Sequence, residues 1–125
     1  MCRKSKVKKS KVTKFTMLIN YFLYLLNLPM KKDEIIDILK TDKQFLKDNY
    51  GVETIALFGS YAKGSENADS DVDFFVEFKN PSYGFLVGLY SYLENKLNSK
   101  IEIVRKGPHL SERFLNTIKN DLIYV

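Results

Sequence analysis

The chain has 125 residues, with 20 basic against 15 acidic residues and a formal net charge of +5 at pH 7. That length suits one domain with its own core and leaves little room for a second module, while a single cysteine, Cys2, excludes a disulfide framework and a cysteine-based zinc site and fits a reducing cytosol. Seven of the basic residues (Arg3, Lys4, Lys6, Lys8, Lys9, Lys11, Lys14) and no acidic one fall in residues 1–29, leaving 13 basic against 15 acidic residues, so the basicity belongs to the tail and direct nucleic-acid binding by the remainder is not expected.

After the lysines comes an almost wholly apolar run, Phe15 to Leu28, closed by Pro29. It is shorter than the roughly 17–25 residues of a membrane span, and no small-residue cleavage site follows it, so neither a span nor a secretory signal is expected. Met30-Lys31-Lys32-Asp33-Glu34-Ile35 reads as the ordinary opening of a small intracellular protein. The division drawn here is therefore a 1–29 extension and a 30–125 domain, with a start at Met30 favoured over a genuine extra helix or interfacial anchor.

From Asp33 to Asn49 apolar residues recur at helical spacing (Ile35, Ile36, Leu39, Phe45, Leu46). Thr41-x-x-Gln44 has the form of a capping box, which predicts two short helices with a break at Thr41-Asp42, ended by Asn49-Tyr50-Gly51. Ile55 to Phe58 reads as a strand, Gly59-Ser60 as a tight turn, and Asp71 to Phe78 as an alternating second strand. Ser82 caps a predicted helix reaching Leu97, with Phe85, Leu86, Leu89, Tyr90, Leu93 and Leu97 as its buried stripe. Ile101 to Val104 is a third strand that turns Glu102 away from the core, and a Ser-capped helix from Ser111 to about Leu122 follows. His109, the only histidine, falls in a probable loop and reads as a surface or capping residue.

The chemistry concentrates between Thr54 and Phe78. Side chains alternate along a strand, so Val72, Phe74, Val76 and Phe78 share one face while Asp71 and Asp73 share the other. Two carboxylates held this close on an otherwise apolar strand suit a divalent cation, and Mg2+ typically links one or two carboxylates to substrate phosphates. Gly59 lets the backbone approach an anion, Ser60 adds a hydroxyl, and Lys63 adds a positive charge. Together these parts describe a metal-assisted phosphoryl or nucleotidyl transfer site.

Gly59-Ser60, ten residues, then Asp71-Val72-Asp73 resembles the signature of the DNA polymerase beta-like nucleotidyltransferase superfamily. The fuller string Phe58-Gly59-Ser60-Tyr61-Ala62-Lys63-Gly64 followed by Ser70-Asp71-Val72-Asp73 is most similar to its minimal branch, the MNT-type antitoxins that pair with HEPN-type toxins. The resemblance covers about Met30 to Val125. It implies an α/β fold, a small mixed, strongly twisted sheet with helices mainly on one face. It also implies a third carboxylate on the strand after the long helix. Glu102 stands there where the family usually has Asp, one methylene longer. The mechanism that follows employs two Mg2+ ions, both held by Asp71 and Asp73 and one also by Glu102, with Gly59, Ser60 and more weakly Lys63 on the triphosphate of ATP.

No extra acceptor-binding domain is visible, which favours an acceptor with its own binding surface. The leading expectation is an antitoxin that moves AMP from ATP to a tyrosine of a HEPN-type toxin, in the cytoplasm and in a complex with that toxin. A small-molecule nucleotidyltransferase and a binding-only antitoxin are the alternatives.

Overall fold

The first long helix, α1 (Lys32–Tyr50), is one unbroken run in the computed structural model, which describes residues 14–19, 21, 22 and 30–125. The expected break at Thr41-Asp42 is absent. Asp42 accepts a 2.6 Å hydrogen bond from the Tyr92 hydroxyl and lies 3.5 Å from the Lys96 ammonium, so partners on a later helix hold in mid-helix a residue that alone would favour a cap. The working cap is one turn before Ile35: the Lys31 amide donates to Glu34 Oε1 at 3.1 Å. Gly51, in the left-handed region at φ 64°, ends the helix.

The chain then forms β1 (Val52–Phe58), a one-turn helix α2 (Gly59–Lys63), β2 (Val72–Phe78), α3 (Tyr83–Leu97), β3 (Ile101–Arg105), α4 (Glu112–Ile118) and β4 (Ile123–Tyr124). The sheet order is β3-β2-β1-β4, with β2 antiparallel to β1 and parallel to β3. A parallel pair needs a crossover, and α3 supplies it. Ser82 caps α3 by accepting from the Phe85 amide at 3.1 Å, as its sequence position predicts, and Ser111 caps α4 in the same way through Phe114.

Two expectations need correction. β1 begins three residues before Ile55, because Val52 and Thr54 pair with Phe78 and Glu77 across an irregularity at Glu53. The last helix ends at Ile118, short of Leu122, because the chain turns there and returns as β4 beside Ala56 and Leu57. Two residues are too few to show an alternating period, which is why β4 is invisible in the sequence.

The strands bury both faces unequally. Ile55, Leu57, Val72, Phe74 and Val76 pack with Ile35, Leu39 and Leu46 of α1 and Leu89, Leu93 and Leu97 of α3. Ala56, Phe58 and Phe75 point the other way and meet Ile118, with Phe114, Leu115 and Leu122 around them. Helices therefore lie mainly on one face, as expected, and only α4 covers the other. Asp73 alternates with Phe74, so it opens on the α4 side, next to solvent.

Residues 14–19, 21 and 22 are helical and exposed, and the rest of the 1–29 extension lies outside the described residues. Among the described residues the main core draws on nothing before Met30, which packs against it. A fragment spanning residues 30–125 is expected to unfold cooperatively within a few degrees of the full chain in a thermal melt. Loss of a cooperative transition would place the Phe15 to Leu28 run in the core.

Candidate active site

The strand register assembles the site. Phe58 is the Cα partner of Asp73, and Asp73 is the Cα partner of Glu102, so the end of β1 and the starts of β2 and β3 meet in a row. Gly59 follows Phe58 at φ 77°, a backbone conformation that side chains disfavour. A Cβ on Gly59 would run into Asp73 Oδ2 and lie 3.1 Å from its Cγ. Glycine is thus required twice over, for the turn and to let the Asp73 carboxylate rest against the backbone.

The three carboxylates singled out from the sequence feel one another. Burial raises the Asp73 carboxyl to about 6, with the charges of Asp71 and Glu102 adding to the shift. Glu102 is the more exposed of the neighbours, on the face away from buried Ile101 and Ile103. Among the described residues no three or more acidic, histidine or cysteine side chains form a group that could hold a metal ion. Mg2+ needs only one or two carboxylates beside substrate phosphates. The donor set is oxygen only. It suits a hard cation.

A polar loop carries the chain from α2 back to Asp71. The Ser65 amide donates to the Ser60 carbonyl at 2.9 Å. Farther along, the Asn67 amide donates to Ser70 Oγ and the Asp69 amide to Asn67 Oδ1, both at 2.9 Å. These local bonds close the turn that delivers Asp71. Ser60 is partly exposed beside this loop. Lys63 sits on the last turn of α2, where its ammonium lies 3.5 Å from Asp121 in the turn before β4. His109 is exposed in the loop after β3, as expected.

Two residues of the site drew no notice in the sequence. Tyr61 is 2% exposed, and burial, then Glu66 and Asp71, push its hydroxyl pKa up. Glu66 has a side chain only 11% exposed, with Oε2 3.9 Å from the Lys31 ammonium, and Oε1 buried without a hydrogen bond. An irregular loop has no period, so no pattern could mark Glu66 as an inward-facing acid.

Gly59→Ala is expected to lower stability by about 1–3 kcal/mol in denaturant unfolding, because the methyl group meets the carboxylate and the left-handed turn is strained. Asp73→Asn acts in the opposite sense. A carboxyl whose folded pKa is raised stabilises the fold fully below its unfolded value of 3.8 and loses that contribution as pH rises through about 6. In chelator at pH 7.5, Asp73→Asn is therefore expected to melt a few degrees above the parent, an advantage that vanishes below pH 4. No gain at pH 7.5 would mean that burial and the neighbouring charges do not disfavour the Asp73 carboxylate as placed.

Comparison with known proteins bears on this geometry. Residues 32–125 match the nucleotidyltransferase domain family. A candidate protein adenylyltransferase of Methanocaldococcus jannaschii is 42% identical over 95 residues, covering 74% of this chain and 95% of that protein. Protein adenylyltransferase MntA of Thermococcus cleftensis is 36% identical over 94 residues, covering 74% and 94%. Among solved structures, a minimal nucleotidyltransferase candidate superposes with a TM-score of 0.64 at 24% identity, over 75% of this chain and 95% of that one. A chain of a toxin-antitoxin complex, MntA-HpeT, superposes with a TM-score of 0.54 at 19% identity, over 76% and 72%. These two are likenesses of fold. With nearly the whole described domain matched, and the Gly59-Ser60 turn set against the Asp71-Val72-Asp73 strand, the chain belongs to the nucleotidyltransferase domain family and is a nucleotidyltransferase of its minimal, MntA-like branch.

Proposed function

We propose that this enzyme is an antitoxin that transfers AMP from ATP to a tyrosine hydroxyl of a HEPN-type toxin and silences it. The observation that carries the proposal is the row Gly59, Asp73, Glu102, in which a carboxylate pressed against a side-chain-free turn leaves anion-binding backbone and cation-binding oxygen side by side. Support for a protein acceptor comes from relatives named protein adenylyltransferase at 36–42% identity. The name MntA also belongs to the solved toxin-antitoxin complex that this chain resembles in fold.

In this reading the acceptor oxygen bonds to the α-phosphorus, and the bond from that phosphorus to pyrophosphate breaks, the pyrophosphate leaving with the electron pair. The backbone at Gly59 and the Ser60 hydroxyl hold the β- and γ-phosphates in line. Asp71, Asp73 and Glu102 are the residues that would hold one or two Mg2+ ions. When bound, Mg2+ supplies the positive charge that lowers the hydroxyl pKa and offsets the triphosphate. A free tyrosine with pKa near 10 is otherwise a weak nucleophile at neutral pH. Glu102 reaches one methylene farther than Asp and is the Cα partner of Asp73 on the next strand. Lys63 is engaged by Asp121, so its replacement is expected to cost less than that of Ser60.

An adenylylated tyrosine in a ribonuclease cleft presents a bulky anion that repels RNA phosphate. No helix among the described residues is long and apolar enough to cross a membrane, and use of ATP is compatible with a cytoplasmic setting.

Intact-mass spectrometry of the paired toxin tests the proposal. With ATP and Mg2+ the toxin is expected to gain one or more AMP groups and to lose ribonuclease activity. Asp73→Asn should abolish the mass gain. Glu102→Gln should slow it at least a hundredfold, while Glu102→Asp retains more, about a 2.7 kcal/mol difference in barrier for each hundredfold. A toxin silenced at unchanged mass, equally by the Asp73→Asn protein, would instead make this a binding-only antitoxin.

A further inference from the structure

At the opposite end of β1 from Gly59 the sheet is left open. β4 covers only Ala56 and Leu57, and the Val125 amide adds one bond to the Ile55 carbonyl at 3.2 Å. Among the described residues nothing pairs with the outer edge of Val52, Glu53 and Thr54. A groove of about 490 Å³ runs along that edge, and its far wall is α1, with Lys40, Lys43 and Lys47. These three lysines recur at i, i+3 and i+7 and so share one helical face. None has an acidic partner among the described residues, although Lys31, Lys63, Lys96 and Lys106 all do.

We infer that this groove is a docking site for an extended acidic segment of a partner protein, which adds as a short strand to the free edge of β1 and sets its carboxylates against Lys40, Lys43 and Lys47. The exposed edge offers backbone donors and acceptors to another strand, the mode of β-augmentation. Dimensions agree. Lys40 to Lys47 spans about 10 Å of helix rise, the length of about three residues of strand. The irregularity at Glu53 falls in the middle of this edge, so the guest bonds to the backbone on either side of it, at Val52 and Thr54.

Charge selects the occupant. A second copy pairing edge to edge through β1 would present the same lysines to the first set, by the self-complementarity of a two-fold interface, and like charges repel. A nucleic acid would satisfy the lysines, but no aromatic side chain lines the groove for base stacking. An acidic peptide satisfies the three lysines, against which Glu53 is a single opposing charge, and bonds by its backbone to the strand edge. The inference concerns a surface remote from Asp73 and stands whether or not the transfer reaction proposed above is correct.

The test uses the full 125-residue chain and an end-capped, fluorescent eight-residue peptide in which Glu alternates with Val or Thr. Fluorescence anisotropy is expected to show binding at tens to hundreds of micromolar in low salt, weakened at least fivefold by a tenfold rise in salt. Amide chemical shifts should move at Val52 to Ile55 and along Lys40 to Lys47. Three controls are expected to abolish binding: Lys in place of Glu in the peptide, N-methylation at alternate peptide amides, and the triple substitution Lys40→Glu, Lys43→Glu, Lys47→Glu, all at exposed positions. Asp73→Asn should bind as tightly as the parent. Retained binding by the N-methylated peptide or by the triple variant would overturn the inference. So would shifts mapping elsewhere, or tighter binding of a single-stranded oligonucleotide of equal length at the same residues.

Discussion

The contact on which the site depends is the one between the Asp73 carboxylate and the bare Cα of Gly59. It exists because β1 and β2 are antiparallel and in the register that sets Phe58 opposite Asp73. A slip of one residue would turn Asp73 into the α1–α3 core and Phe74 out to solvent. The apolar alternation of β2 therefore enforces the catalytic geometry: burying Val72, Phe74, Val76 and Phe78 on one face leaves Asp73 no choice of side. Core packing and active-site placement are the same constraint read from two faces of one strand.

That constraint gathers negative charge in a partly buried place, and the carboxyl of Asp73 registers it. Among the described residues no ion pair offsets the charge: Lys63 on the adjoining helix is turned to Asp121, and Lys31 to Glu66. A site that repels itself is stabilised by whatever cation it binds, because a ligand that prefers the folded state adds to its stability. The fold thus carries a local destabilisation that, in the function proposed above, metal and nucleotide would relieve, a common relation between function and stability.

Much of this was legible in the sequence because it rests on short-range rules. Alternation assigned the faces of β2 and β3, serines at 82 and 111 marked two helix starts, and the Gly59-Ser60 to Asp71-Val72-Asp73 spacing located the site. What failed needed tertiary knowledge. Thr41-Asp42 looks like a helix start until Tyr92 and Lys96, some fifty residues away, are seen to hold Asp42 in mid-helix. β4 is too short to have a period, and its existence cuts α4 short. Glu66 and Asp121 lie in turns where side-chain direction follows from no repeat, so neither their ion pairs nor their nearness to the site could be read.

The Lys63–Asp121 pair bears on how the site takes its nucleotide. Lys63 is more than half exposed and Asp121 about a quarter, and such a pair contributes on the order of 0–1 kcal/mol. Its strength is too small to fix α2, which is already held by buried Tyr61 and by the Gly64 cap. Its geometry matters more, because it keeps a cation one turn from Ser60 with its charge directed to Asp121. A lysine bound directly to Asp71 and Asp73 would have to be displaced by the metal at a cost of several charge-assisted hydrogen bonds. In the function proposed above, a Lys63 held by a weak, partly solvated partner would leave the carboxylates to a cation and could turn toward a triphosphate with little loss. The acid that ties it down sits in the turn before β4, so the short fourth strand places the partner of Lys63 as well as covering the edge of β1.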